Sequence, residues 1–198
     1  MDHPDIIKAN SIVELLSEND PAELERLRNR YPAERDLLMP GLELGNTPAK
    51  IDACRDLAAA GLVAAEKQVP LILSSLSRRL SLAKKIRLLA TLIASVSSAG
   101  IISSLALGKI GIGIFAAAVN FAASACTVYA LHLEAPLVGK GSSVNDLIQK
   151  AIKLEARIGE VRVMQIDAGT DVRKHVSVVK AVNELAAAIR SVQVFGEV

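Results

Sequence analysis

Several residue types that carry chemistry are scarce in this 198-residue chain. It has no tryptophan, two cysteines and three histidines, and aromatic residues make up 3%. The histidines lie at no ligand spacing from one another or from cysteine, so we expect no structural metal site. The cysteines form no CxxC pair and indicate no disulfide framework. Phosphate-loop, GxSxG and HExxH motifs are missing as well, so the sequence predicts a protein that is not an enzyme and holds no cofactor.

Acidic residues are missing from a long central stretch. No aspartate or glutamate lies between Lys67 and Leu133, although the whole chain carries 21 acidic and 23 basic residues. Soluble domains rarely extend so far without a carboxylate, so we expect the middle of the chain not to face water. Residues 1–70, in contrast, hold 13 acidic and 8 basic groups.

Two uncharged runs lie inside this acid-free stretch. Residues 88–108 and 110–133 carry no formal charge. A helix rises about 1.5 Å per residue, so each run can cross a hydrocarbon core of about 30 Å. The glycines around Lys109 favour a very short connection. We therefore predict two antiparallel transmembrane helices, over about 88–107 and 113–133. The alternative is a hairpin buried inside a soluble helical bundle.

Helix signals flank the hairpin on both sides. Asp20 before a proline starts a short helix, and Pro48 starts a longer one that should kink or restart at Pro70. After the second span, Ser143 and Asp146 are spaced as a capping box. The fold class is predicted to be all-α, with a two-helix transmembrane hairpin, cytosolic N-terminal helices and coiled-coil-like C-terminal helices. The predicted regions are 1–70 (cytosolic, regulatory), 71–135 (basic helix and hairpin) and 136–198 (cytosolic, assembly).

A basic cluster precedes the first span, whereas the hairpin tip carries only Lys109. Positive residues favour the cytoplasmic side, so both termini are predicted to be cytoplasmic. The basic side chains are expected to lie at the membrane interface beside anionic headgroups, or to bind another anionic ligand. They are not interleaved with aromatic residues, so we predict no specific nucleic-acid motif. The cluster consists of Arg78, Arg79, Lys84, Lys85 and Arg87.

The spans themselves contain polar side chains, including Asn120 near the middle of the second. A carboxamide that faces lipid costs free energy, so Asn120 is expected to face a partner helix or a lumen. The stripes of serine and threonine suit either the lining of a water-filled pore or close helix packing. The residues predicted to line a pore or pack helices are Thr91, Ser95, Ser97, Ser98, Ser104, Asn120 and Ser124.

An apolar stripe with steps of four and three residues follows the hairpin. Such spacing is typical of the seam of a coiled coil or a helix bundle. A second stripe of the same kind runs from Val178 to Val192. We interpret the first stripe as a contact between subunits; the alternative is a helix that packs on the chain's own N-terminal part. The predicted subunit seam consists of Leu147, Ala151, Leu154, Ile158, Val161 and Gln165.

This arrangement resembles the SLATT family, the two-transmembrane effector domains of bacterial nucleotide-dependent conflict and antiviral systems. The likeness covers about residues 65–165: a basic helix, a two-helix membrane hairpin with a very short external loop, and the helix SVNDLIQKAIKLEARIGEVRVM directly after the second span. It implies an oligomeric pore or membrane-disrupting effector of the bacterial inner membrane that stays silent until a nucleotide-type cue arrives. The implied partners are the lipid bilayer, further copies of the chain, for example in a tetramer, and a nucleotide-type ligand or a nucleotide-producing protein.

Three functions fit the sequence. The first is a homo-oligomeric membrane channel or pore-forming effector, toxic within an antiphage defence system. The second is a soluble pore-forming toxin resembling the colicins, which would bury the same hairpin until it reaches a target membrane. The third is a membrane-anchored scaffold without a pore.

Overall fold

The computed structural model describes residues 7–38, 43–44, 48–108, 110–134, 143–169 and 171–196. This part of the chain is all-α, as predicted. A short 3-10 helix, Pro32–Leu38, and two two-residue strands, β1 (Ile7–Lys8) and β2 (Glu43–Leu44), accompany the helices. The strands pair antiparallel, with Ile7 opposite Leu44. The α-helices are α1 (Asn10–Asn19), α2 (Pro21–Arg30), α3 (Pro48–Ala106), α4 (Ile110–Glu134), α5 (Val144–Ala168) and α6 (Val172–Gly196).

The chain divides into two compact units. The bundle unit comprises Met1–Leu73 and Gln149–Glu197, and the hairpin unit comprises Ser74–Ile148. The long helix α3 and the helix α5 each contribute to both units. The N-terminal and C-terminal regions, predicted as separate regions, therefore belong to one unit.

The helix starts at Asp20 and Ser143 are confirmed. Asp20 Oδ1 accepts a hydrogen bond from the backbone N–H of Glu23 at 3.2 Å, which caps α2. At the start of α5, the Ser143 N–H donates to Asp146 Oδ2 at 2.9 Å, while the Asp146 N–H donates to Ser143 Oγ at 3.2 Å. This reciprocal pair is the predicted capping box, and it satisfies two N–H groups that a helix end otherwise leaves without partners.

Of the two outcomes predicted at Pro70, a kink or a restart, the restart does not occur: α3 runs unbroken from Pro48 to Ala106. A proline inside a helix removes one backbone hydrogen bond and costs about 3 kcal/mol. Pro70 itself is exposed, whereas Val69 and Ile72 beside it are buried. We infer that burial of these neighbours holds the helix together across the proline.

Large apolar side chains form the core of the bundle unit. α1 packs against α6 and against α2. The helix α3 approaches this core closely at Gly61, where a Cβ atom would lie 2.5 Å from Cγ2 of Ile12 and 3.2 Å from Cγ1 of Val182. Only glycine permits that approach. Fully buried members of the core include Ile12, Leu15, Leu16, Leu27, Leu57 and Ile189.

Polar contacts join α1 to α6 beside this core. The Asn183 Oδ1 atom accepts a hydrogen bond from the Ser11 N–H at 2.9 Å. Arg190 forms ion pairs with Glu14 and Glu18, the latter at 2.9 Å. The hydrogen bond to Glu18 raises the pKa of the Arg190 guanidinium, against the smaller opposing effect of its partial burial. These contacts hold α1 against α6, although the two helices are far apart in sequence.

Candidate functional site: the α3–α4 hairpin

The helices α3 and α4 form a hairpin with a very tight tip. α3 ends at Ala106 and α4 begins at Ile110. Gly108 between them has a φ of 65°, a backbone conformation that side chains with a Cβ rarely adopt. Its N–H donates to the carbonyl of Leu105 at 3.3 Å, and its carbonyl accepts from the N–H of Ile110 at 3.2 Å. Both helices are long and apolar enough to cross a membrane.

A seam of small residues holds the two helices of the hairpin together. A Cβ atom on Gly113 would lie 2.7 Å from Oγ of Ser104, and one on Gly100 would lie 3.6 Å from Cβ of Ala116. Small residues allow helix backbones to approach closely, as in the contacts between membrane helices. The buried members recur every seven residues: Ala83, Ala90, Ser97 and Ser104 on α3, and Ala116, Ala123 and Ala130 on α4. Small residues that recur every seven positions in both spans are the sequence signal for this seam. The positions of the polar residues alone do not indicate it.

The large apolar side chains of the hairpin point away from this seam. Val96 is 75% exposed, Leu105 72% and Phe121 78%. Only 17% of the most apolar window of α3 and 11% of that of α4 are buried. In a water-soluble protein such side chains are among the first to be buried. The hairpin therefore exposes large apolar side chains of the kind that the bundle unit buries in its core.

The hydroxyl groups predicted to line a pore or pack helices separate into two sets. Ser97 and Ser104 are buried in the small-residue seam, whereas Thr91, Ser95, Ser98 and Ser124 are exposed. Three of the exposed hydroxyls donate to backbone carbonyls four residues earlier in their own helix, at 2.8 Å for Thr91 and 2.9 Å for Ser95 and Ser124. These three hydroxyls therefore have a hydrogen-bond acceptor even where the surroundings are apolar.

Asn120 differs from these hydroxyls. It is half-buried in the middle of α4. Its side chain makes no hydrogen bond to any residue that the structure describes, although a carboxamide can donate two and accept two. The backbone carbonyl of Asn120 accepts from Ser124, so the group without a partner is the side chain alone. Asn120 is thus left with hydrogen-bonding capacity at the centre of a span.

The basic cluster contains residues with different tasks. Arg79 donates from Nε to the carbonyl of Leu133 at 3.0 Å, which caps the C-terminal end of α4. Arg87 forms an ion pair with Glu134 at 3.8 Å. Lys84 and Lys85 have no ion pair with the described residues, and Arg78 is exposed. The basic cluster on α3 therefore both contacts the C-terminal end of α4 and leaves cationic groups available.

The predicted subunit seam on α5 is covered within the single chain. Leu147, Ala151, Ile158 and Val161 are buried, while Leu154 and Gln165 are half-buried. An ion pair of 2.6 Å between Arg162 and Glu66 also attaches α5 to α3. The second predicted stripe, from Val178 to Val192 on α6, is likewise buried. The packing that the structure records for both stripes is packing within the chain.

Another stripe on α5, with the same spacing, is exposed. Its members follow one another at steps of four and three residues and include large apolar side chains. Its spacing matches that of the predicted subunit seam, and spacing alone does not show which face of a helix is covered. It consists of Ile152, Ala156, Gly159, Val163 and Ile166.

In the part of the chain that the structure describes, no three side chains of histidine, cysteine, aspartate or glutamate are grouped so that they could hold a metal ion. Neither cysteine forms a disulfide; Cys54 is buried in the bundle unit and Cys126 lies on the exposed surface of α4. No protein-family model, curated protein or solved structure matches the chain.

Proposed function

We propose that the protein is a membrane protein whose α3–α4 hairpin spans the bilayer, and that several copies assemble into an ion-conducting pore. Insertion into a membrane is supported by the burial pattern of the hairpin, in which small residues are buried and large apolar side chains are exposed. Lipid tails solvate large apolar side chains as well as a protein core does, so close contact through small residues becomes the main source of helix association. Water would instead drive Val96, Leu105 and Phe121 into contact with one another.

The proposal of a pore rests on the side chain of Asn120, which has no hydrogen-bond partner among the described residues. A polar group without partners in hydrocarbon costs several kcal/mol, and another copy of the chain or water can supply the hydrogen bonds that the described residues do not. A lumen formed between hairpins supplies both, and a carboxamide can replace part of the hydration shell of a permeating ion. A homo-oligomer with Asn120 facing its centre is the simplest arrangement that satisfies the side chain.

The two other candidate functions fit these observations less well. A scaffold that carries a solitary hairpin leaves Asn120 facing lipid. A soluble toxin needs protein to cover the large apolar side chains of the hairpin, and the described residues leave those side chains exposed. The role of an effector in nucleotide-controlled bacterial antiphage defence is part of the proposal, and it is supported by the resemblance to SLATT domains alone.

The basic cluster supports an orientation with both termini in the cytoplasm and the tip of the hairpin outside the inner membrane. With both native cysteines replaced, a cysteine at Gly111 should react with a membrane-impermeant thiol reagent added to intact cells. A cysteine at Ser77, an exposed position in the basic part of α3, should not react. The opposite labelling pattern would reverse the proposed orientation.

The pore is tested by replacing Asn120 with leucine and with serine. Asn120→Leu should leave the protein in the membrane fraction and in its oligomer, but should lower ion efflux from protein-loaded vesicles about tenfold, because the loss of a polar contact of about 1.4 kcal/mol changes a rate by that factor. Asn120→Ser should retain most of the efflux. A leucine at Cys126, an exposed position on the same helix, is the matched control and should have no effect.

Two other results would contradict this proposal in different ways. Unchanged efflux from Asn120→Leu would remove Asn120 from the pore. A smaller oligomer, with a loss of association of about 0.6–2 kcal/mol, would instead indicate a hydrogen bond between helices. Recovery of the wild-type protein as a soluble monomer in buffer without detergent would exclude the membrane function altogether.

A further inference from the structure

A cleft of about 830 Å³ opens in the hairpin unit where the basic cluster meets the first span. Lys84 and Arg87 line it from α3, and Glu134 lines it from the end of α4. The first turn of α5, from Ser143 to Asn145, forms the opposite wall. Three helices thus contribute to one cavity, and two cations face into it.

The balance of charge in the cleft is positive. Glu134 pairs with Arg87 at 3.8 Å, whereas Lys84 has no ion pair with the described residues. At the start of α5 the carboxylate of Asp146 accepts from the Ser143 N–H and offsets the partial positive charge of the helix end, so the excess positive charge of the cleft comes from Lys84. The cleft therefore attracts an anion, and Lys84 is the cation still available to bind one.

The remaining walls are apolar and continue into the span. Leu88 and Leu92 line the cleft and are 62% and 56% exposed. Arg87 is the last charged residue before the uncharged run of residues 88–108. The cleft thus has cations at one end and hydrocarbon-facing side chains at the other. A free phosphate could use the cations alone, whereas a phospholipid uses both ends.

We infer that the cleft binds one anionic phospholipid, with its phosphate between Lys84 and Arg87 and the start of an acyl chain along Leu88 and Leu92. The inference rests on the proposed insertion of the hairpin into a membrane. The basic cluster then contains a defined lipid site as well as a general attraction to the membrane surface. A phospholipid and a soluble phosphate would both present a phosphate group to the cations. The apolar walls of the cleft favour the phospholipid, because only the lipid has an acyl chain to contact them.

The experiment compares lipid retention by the detergent-solubilised full chain, measured by native mass spectrometry. The probes are phosphatidylglycerol, phosphatidylcholine and inorganic phosphate. The double variant Lys84→Gln with Arg87→Gln should bind phosphatidylglycerol between about fivefold and about 25-fold more weakly, since each basic group at an anionic surface contributes about fivefold and Arg87 is shared with Glu134. The matched control, Arg78→Gln with Lys85→Gln, removes the same charge from the same cluster but outside this cleft, and should retain the lipid.

Three results would overturn the lipid site while leaving the membrane function intact. They are equal retention of the two lipids, equal losses in the two double variants, and displacement of phosphatidylglycerol by inorganic phosphate at the same concentration. The last result would assign the cleft to a soluble anion. Failure of the membrane function is distinguishable from all three, because the wild-type protein would then be soluble without detergent.

Discussion

The bundle unit buries large apolar side chains along with small ones, whereas the described residues of the two spans bury small side chains only. The bundle unit buries leucine, isoleucine and valine, for example Leu15, Leu57 and Ile189. Between the spans, the buried residues are alanine and serine, for example Ser97 and Ala123. Both regions are helical, so secondary structure does not account for the difference. We attribute the difference to the solvent that surrounds each region, water for the bundle unit and lipid for the two spans.

In water, the free energy gained by burial grows with the apolar area removed, at about 25 cal/mol per Å². Large side chains therefore occupy the core of the bundle unit. In lipid that gain disappears, and helices associate through the close contact that small residues permit. The comparison predicts that equal substitutions have unequal effects in the two regions, and in the two faces of one helix.

The largest effect is expected for a charge introduced into the bundle unit. Ile158 is 7% exposed and Ile166 is 77% exposed, although both lie on α5. Ile158→Asp should lower the free energy of unfolding by at least about 3 kcal/mol, because a buried carboxylate without a partner loses its hydration. Ile166→Asp should change it by less than about 0.5 kcal/mol. Denaturant unfolding followed by circular dichroism measures both.

The same pair of variants tests which stripe of α5 contacts other copies of the chain. Oligomer size is measured on whichever variants remain folded. A folded Ile158→Asp protein that dissociates would support the seam predicted from Leu147 to Gln165. Dissociation of Ile166→Asp alone would point to the exposed stripe that contains Ile152 and Val163.

A smaller effect is expected for overpacking of the small-residue seam. Ala123 is 4% exposed, whereas its neighbour Ala122 is exposed. Ala123→Leu should destabilise the hairpin by about 1–3 kcal/mol, because the added carbons separate α3 from α4. Ala122→Leu should have almost no effect. Melting temperatures of the detergent-solubilised proteins compare the two, and equal melting temperatures would show that the seam does not determine hairpin stability.

The smallest effect concerns a polar contact in the bundle unit. Tyr31 Oη donates to Asp56 Oδ2 at 2.7 Å. Burial and this hydrogen bond raise the pKa of Tyr31 above its ordinary value of 10.0. A raised pKa favours the protonated phenol in the folded state, so this contribution is complete below pH 10 and is lost as the pH rises through the folded-state pKa.

Wild-type stability should therefore fall relative to that of Tyr31→Phe as the pH increases above 10.0. Unfolding curves of the two proteins at a series of alkaline pH values measure this difference. Parallel curves over that range would show that the contact with Asp56 does not link protonation to folding.

Features that depend on neighbouring residues were predictable from the sequence. The all-α fold, the two long apolar helices, the tight tip at Gly108 and the capping box at Ser143 each depend on a short stretch of chain. The continuity of α3 through Pro70 was not predictable in this way, because burial of Val69 and Ile72 depends on tertiary packing and opposes the local tendency to break the helix.

The sequence by itself determined the helix starts at Asp20 and Ser143, the tight tip at Gly108 and which helices are apolar enough to enter a membrane, since those properties follow from runs and spacings along the chain. The tertiary structure decided which faces are covered. α5 carries two stripes of the same spacing, and only packing shows that the stripe with Ile158 is buried and the stripe with Ile166 is exposed. Packing likewise joins residues 1–73 and 149–197 in one unit. Helical periodicity is a local property, whereas burial requires a partner surface that can come from any part of the chain.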